Sequence, residues 1–434
     1  MKKSFSSFMV LMNLFALTLF VSNTSGAITL ENNPETNPEI YQITNSDDYT
    51  TKNDAYLSSQ ACTDFKNFAH EQKVDGTSFD GKYKKLDPFK TDGLTIVKNG
   101  RVVYEWYDGI VTPKTSHVLW SASKMLTATL IHRTIQLGKT YKGIPFDLKT
   151  PLHLFFPSPP LLANQELFNR YIKENPRLVE NYNSLTIKHL VEMSANFKWN
   201  EFYDDDITNS TFIPMLYLKE RFSMHQYFLS QNISPEGPDN KWNYSGGNSN
   251  TLQAILAKIW GNEYLSMPNE ILFKPLGITS ARWERDGSGY FVGSSYAYLS
   301  ARDYAKLGQL YLNQGQWGSE QLLSKKWVQE AQELTPVATS EATSFEYIKA
   351  LGAQSKRLFW LNTDIIKKGK KFYGKEFPLA PSDMYFAAGH YGQLLIIIPS
   401  ENLIISRTGY DKTYWDHIEP LALKTIECFK KQIF

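Results

Sequence analysis

The sequence predicts an α/β chain of the α+β kind, an antiparallel sheet flanked by helices with a mostly helical second lobe. Two β-hairpin patterns, one near residue 100 and one near residue 400, predict the sheet. The stretch between them, from about 125 to 245, carries helical runs, prolines and loops with little strand character, and predicts the lobe. A chain of 434 residues that is 42% hydrophobic can bury a substantial core, and one catalytic unit with a cleft between two lobes is expected over residues 61–434.

The N-terminus reads as an export signal over residues 1–27. Lys2 and Lys3 precede an apolar run from Phe8 to Val21, and the small residues Ser25, Gly26 and Ala27 follow, with cleavage expected after Ala27. The run is interrupted by Asn13 and Thr18 and falls short of the ~20 residues of a spanning helix, so no stable membrane anchor is expected after cleavage. The mature protein is expected to be periplasmic or secreted. Residues 28–60, rich in Asn, Thr, Asp and Ser, read as a polar arm. Losing Lys2 and Lys3 leaves 44 basic against 44 acidic residues, so nothing recommends a nucleic-acid partner. The only cysteines, Cys62 and Cys428, can pair in an oxidising compartment; two buried free thiols are the alternative.

Leu94 to Lys98 and Arg101 to Tyr107 are β-prone runs joined by Asn99-Gly100, a dipeptide suited to a type I′ turn. From Ser121 to Leu137 the pattern turns helical, with Met125, Leu126, Thr129, Leu130 and Leu137 near one face and Gly138 placed to stop it. Further helices are expected at Ile187 to Met193, Asn250 to Trp260 and Ala301 to Leu312. Leu394 to Ile398 and Leu403 to Arg407 flank Pro399-Ser400-Glu401-Asn402 as a second hairpin, its apolar runs suited to central strands. An amphipathic helix from about Asp416 to Lys431 closes the chain.

Ser121-Ala122-Ser123-Lys124 opens the first long helix, and a spacing of three sets hydroxyl and amine one turn apart on one face. The helix N-terminus offers unpaired N–H groups to an oxyanion and disfavours an ammonium, so Lys124 is expected to deprotonate easily and accept the serine proton. Alone the tetrad is weak, since roughly two such spacings arise by chance in a chain this long. Asn243-Tyr244-Ser245-Gly246-Gly247 places a phenol on a glycine-flanked loop, where it can relay protons or merely pack its ring. Gly389-His390-Tyr391-Gly392-Gln393 precedes a strand, where glycines let a substrate approach the backbone.

This order, Ser-x-x-Lys, then Tyr-x-x, then a (Lys/His)-x-Gly element on a late strand, resembles the class C β-lactamase-related family within the serine β-lactamase and penicillin-recognising superfamily, which includes esterases, D-aminopeptidases, carboxypeptidases and oligoamide hydrolases. The likeness runs from about residue 90 to 434 and includes Leu185-Thr186-Ile187-Lys188-His189-Leu190, Phe273-Lys274-Pro275-Leu276-Gly277 and Ser300-Ala301-Arg302-Asp303. It implies a β-lactamase/transpeptidase-like fold, Ser121 as acylated nucleophile, Lys124 and Tyr244 as base pair, and His390 and Gly392 as substrate-binding residues. It also implies an oxyanion hole from the backbone N–H groups of Ser121 and Gln393.

Two departures bear on the chemistry. Gly246 stands where relatives commonly have Asn, and Asn243 or Asn248 is expected to replace that amide. His390 stands where many β-lactam-binding relatives keep lysine, and a mostly neutral imidazole is a poorer partner for a carboxylate. No Gly-x-Ser-x-Gly elbow or His-Glu-x-x-His helix appears, and Asp204-Asp205-Asp206 reads as solvated rather than metal-binding. The resulting expectation is an exported serine hydrolase that needs no cofactor or metal and acts on a small ester, amide or peptide. Trp120, Trp199, Tyr203 and Trp242 lie near the motifs and suggest an apolar or aromatic acyl group. Peptidoglycan or D-amino-acid peptide hydrolysis, β-lactam hydrolysis and a non-catalytic binding role on the same fold are the alternatives.

Overall fold

Seven antiparallel strands make the main sheet of the computed structural model, which describes residues 57–70, 89–157, 165–202, 207–344, 348–349, 352–411 and 415–430. The expected export segment, nearly all of the polar arm, Tyr203 and the Asp204-Asp205-Asp206 run lie outside these residues. The strands are β1 (Thr91–Lys98), β2 (Arg101–Tyr107), β3 (Ala353–Gln354), β4 (Trp360–Leu361), β5 (Tyr385–Gly389), β6 (Gln393–Ile398) and β7 (Leu403–Gly409), in the spatial order β3-β4-β5-β6-β7-β1-β2. The first and last expected hairpins are thus β1–β2 and β6–β7. Asn99 and Gly100 adopt the two positive φ angles, 53° and 75°, that their turn requires.

β6 and β7 are buried along their whole length, which is why they read as continuous apolar runs rather than alternating ones. Each buried Leu or Ile there contributes about 1.5–3 kcal/mol relative to exposure. Helix α4 (Ala301–Leu312) covers one face and approaches closely at Gly308, where a Cβ would lie 2.8 Å from Ile404 and 2.9 Å from Leu395. Helices α1 (Gln60–Ala69) and α5 (Trp415–Phe429) cover the other, with Phe65 edge-on to Tyr104 and Phe89 edge-on to His417. Cys62 on α1 and Cys428 on α5 form a disulfide that joins residues 366 apart.

Helix α2 (Ser123–Gln136) was expected to show one apolar stripe. Instead it is buried on all sides from Ser123 to Thr134, because helix α3 (Gly246–Trp260), the 269–273 segment and Tyr311 of α4 all pack against it. Its polar side chains are satisfied internally: Thr129 bonds the Met125 carbonyl, and Thr127 bonds the Gly293 carbonyl while accepting from Gln253. On its other side α3 is approached by the short helix Met224–Leu229 so closely that a Cβ on Gly247 would lie 2.0 Å from the Phe228 ring.

Removing the disulfide by Cys62→Ser with Cys428→Ser is expected to destabilise the protein by about 2–4 kcal/mol, read from thermal or denaturant melts. The unreduced, denatured wild type should show no titratable thiol; two would contradict the pairing.

Candidate active site

Ser121 does not begin the α-helix as expected but sits in a single 3-10 turn, Trp120–Ala122, immediately before it. Trp120 adopts φ 47°, an uncommon conformation for a bulky side chain, and the bend sets the serine apart from the regular helix. The turn is pinned from below. The Leu119 N–H donates to the Ala297 carbonyl at 2.8 Å, and the Ala297 N–H donates to Ser123 Oγ at 3.1 Å.

Lys124 points back at the nucleophile, as the spacing of three requires, and its Nζ donates to Ser121 Oγ at 3.2 Å and to the Ser294 carbonyl at 3.3 Å. The lysine is 1% exposed. Burial alone would lower its pKa, but Tyr244 and Glu201, each attracting and hydrogen-bonding the ammonium, outweigh burial and raise it. Against the expectation of an easily deprotonated lysine, the balance of these groups favours the charged form. Its Nζ lies 4.5 Å from the centre of the Tyr244 ring and 3.3 Å from Glu201 Oε1.

Glu201 is the residue that sequence reasoning missed. Its carboxylate also accepts from the Gly246 N–H at 2.9 and 3.1 Å and from the Trp199 indole. A Cβ on Gly246 would fall 3.1 Å from Glu201 Oε1 and 2.9 Å from the Phe212 ring, so the carboxylate occupies space next to the position where relatives carry an amide. Neither proposed substitute does so. Asn243 donates to the Phe197 and Trp199 carbonyls, and Asn248 donates to the Met193 sulfur. The one signal in the sequence was the bare Gly246 itself, a missing side chain beside a charge that has to be matched.

The His390-to-Gln393 turn and the strand before it come against Leu119 and Trp120, the residues that lead into Ser121. A Cβ on Gly389 would lie 1.9 Å from the Leu119 carbonyl oxygen, so only glycine lets β5 approach the segment that leads into Ser121. His390 lies edge-on to Trp120, with ring centres 5.8 Å apart, and burial lowers its pKa to about 4, so it is neutral at physiological pH. Tyr296 packs on the other side of Trp120, 5.7 Å between centres. Of the other aromatics singled out, Trp242 is core, fully buried with its indole bonded to Gln354, and Trp199 serves Glu201. The structure therefore brings Ser121, Lys124, Tyr244, Glu201 and the 390–393 turn into one region. Among the described residues no cluster of His, Cys, Asp and Glu is arranged to hold a metal ion.

The β-lactamase family model matches residues 79–408, which contain all of these groups. The chain belongs to the beta-lactamase family. Within this family it resembles the 6-aminohexanoate-dimer hydrolase of Paenarthrobacter ureafaciens, with 20% identity over 251 residues, 57% of this chain and 58% of that relative. A Bacillus anthracis structure provisionally named as a 6-aminohexanoate-dimer hydrolase aligns with TM-score 0.59 and 17% identity over 84% of this chain and 87% of that one. The hydrolase EstCE1, named for promiscuous acyltransferase activity, gives TM-score 0.55 and 13% identity over 85% and 98%. A penicillin-binding protein homologue from Caulobacter crescentus gives 0.53 and 11% over 84% and 98%. At these identities the structures establish the β-lactamase/transpeptidase-like fold of this family member.

Replacing Glu201 by Gln removes the charge that helps hold Lys124 protonated, so the Lys124 pKa should fall. The alkaline limb of kcat/KM should then move to lower pH and kcat should drop roughly tenfold or more. A pH–rate profile identical to wild type would show that Glu201 has no such role.

Proposed function

We propose that this β-lactamase-family serine hydrolase is an exported enzyme that cleaves small esters or amides through an acyl-enzyme on Ser121. The observation that carries the reading is the contact of Ser121 Oγ with a buried, charged Lys124 that also meets Tyr244 and Glu201. In this reading the Lys124/Tyr244 pair acts as base, with the deprotonated Tyr244 oxygen as the proton acceptor. Ser121 Oγ attacks the carbonyl carbon, and its proton passes to that oxygen. The developing oxyanion is received by the backbone N–H groups of Ser121 and Gln393. Collapse expels the alcohol or amine, which takes the proton, and Tyr244 then activates a water that releases the acid and frees Ser121.

Substrate choice follows from the walls. Trp120 and Tyr296 offer aromatic surface beside the nucleophile, and a neutral His390 offers no charge to a carboxylate. Both favour uncharged esters and linear amides over β-lactams, whose carboxylate His390 does not match. Export is supported by the N-terminal charge and hydropathy pattern and by the Cys62–Cys428 disulfide, which persists in oxidising compartments.

A short-chain nitrophenyl ester and an uncharged linear anilide are expected to be turned over, and a chromogenic cephalosporin far more slowly. Ser121→Ala should lower turnover by roughly 10³-fold or more. Undiminished turnover in that variant would contradict the reading, and rapid cephalosporin hydrolysis would contradict the substrate assignment.

A further inference from the structure

We propose that Arg407 and Asp411, buried beneath the sheet end and in no direct contact with Ser121, are positioning residues that aim the Gln393 N–H into the active site. The proposal rests on the reading of that N–H as an oxyanion donor. Tyr391 and Gly392 both adopt left-handed backbone conformations, φ 62° and 82°. For a tyrosine this is unfavourable by itself and persists only where surrounding groups impose it.

Those groups converge on three successive carbonyls. The Gln393 side-chain amide donates to the His390 oxygen at 3.1 Å and the Tyr391 oxygen at 3.2 Å. The Asp411 N–H donates to the Tyr391 oxygen at 3.0 Å, and Arg407 Nη1 donates to the Gly392 oxygen at 2.9 Å. The last bond decides the matter. The Gly392 carbonyl and the Gln393 N–H belong to one planar trans peptide and point in opposite directions, so fixing the oxygen toward Arg407 fixes the N–H away from it.

Arg407 is itself locked. It is 1% exposed and donates to Thr91 Oγ1 at 3.0 Å, the Lys90 carbonyl at 2.9 Å and Asp411 Oδ1 at 2.7 Å, while Phe89 lies 4.4 Å from its guanidinium carbon. Asp411, fully buried, also accepts from the Lys90 N–H and contacts His417 of α5. Gly409 makes the arrangement possible, since a Cβ there would lie 2.2 Å from the Lys90 oxygen and 2.8 Å from Arg407 Nη2. An apolar pair of similar volume would stabilise the core as well as this ion pair, but it could not donate to the Gly392 carbonyl.

The test compares an ester with its thiono counterpart, whose sulfur is a weaker hydrogen-bond acceptor, in wild type and in Arg407→Lys, a shorter cation without the planar fork. Wild type is expected to prefer the oxygen ester strongly. Arg407→Lys is expected to lose roughly tenfold to a hundredfold in kcat on the oxygen ester, with KM within about threefold and little change on the thiono ester, so that the preference collapses. A folded Arg407→Lys that keeps the wild-type preference would overturn the positioning role. A wild type with no preference would instead overturn the oxyanion reading on which it rests. If Arg407→Lys does not fold, Asp411→Asn is measured in the same way; it keeps the backbone N–H to Tyr391 but removes the carboxylate charge that holds Arg407, and the same two outcomes decide.

Discussion

An ammonium sealed from water beside a serine hydroxyl is the constraint on which the rest of this site depends. A buried charge is costly unless it is matched and hydrogen-bonded. Lys124 is matched from four sides: the serine it serves, the Ser294 carbonyl, the Tyr244 phenol and the Glu201 carboxylate. Each partner comes from a different part of the chain, so the helical lobe, the α3 N-terminus and the strand region after residue 290 must all be in place before the charge is satisfied. The site thereby couples the assembly of the two lobes to the state of the nucleophile.

The second element is backbone geometry. Trp120 and Tyr391, both aromatic and both at positive φ, stand on the two segments that lead to Ser121 and Gln393. Their neighbour His390 contacts both rings. The bare Cα of Gly389 against the Leu119 carbonyl lets the segments close to this distance, and Arg407 with the Gln393 side chain holds the turn behind it. Strain is concentrated on the two segments that lead to Ser121 and Gln393, and the buried network around Arg407 supports it.

Much of this was legible in the sequence, because the signals were local. Asn99-Gly100 gave a turn that needs two positive φ angles, the apolar runs at 394–398 and 403–407 gave doubly covered strands, and Ser-x-x-Lys gave two side chains on one helical face. What failed was non-local. Tyr244 and a carboxylate 77 residues downstream together raise the Lys124 pKa against burial, and no periodicity or spacing rule connects Glu201 to Gly246. Asn243 and Asn248 were attractive substitutes by proximity in sequence, yet their amides face the Phe197 and Trp199 carbonyls and the Met193 sulfur. The amphipathic reading of α2 failed for a related reason: α3, α4 and the 269–273 segment enclose it all round, and Thr127 is satisfied by Gly293 and Gln253, which the sequence does not place beside it.

The central claim is that this environment makes Ser121 a nucleophile rather than a structural serine at a helix start. Intact-mass spectrometry after exposure to a fluorophosphonate probe tests it most directly, with Ser121→Ala as control. A single adduct is expected on the wild-type protein, located at Ser121 and absent from the variant. A folded wild type that stays unlabelled, or an adduct that survives in Ser121→Ala, would contradict it.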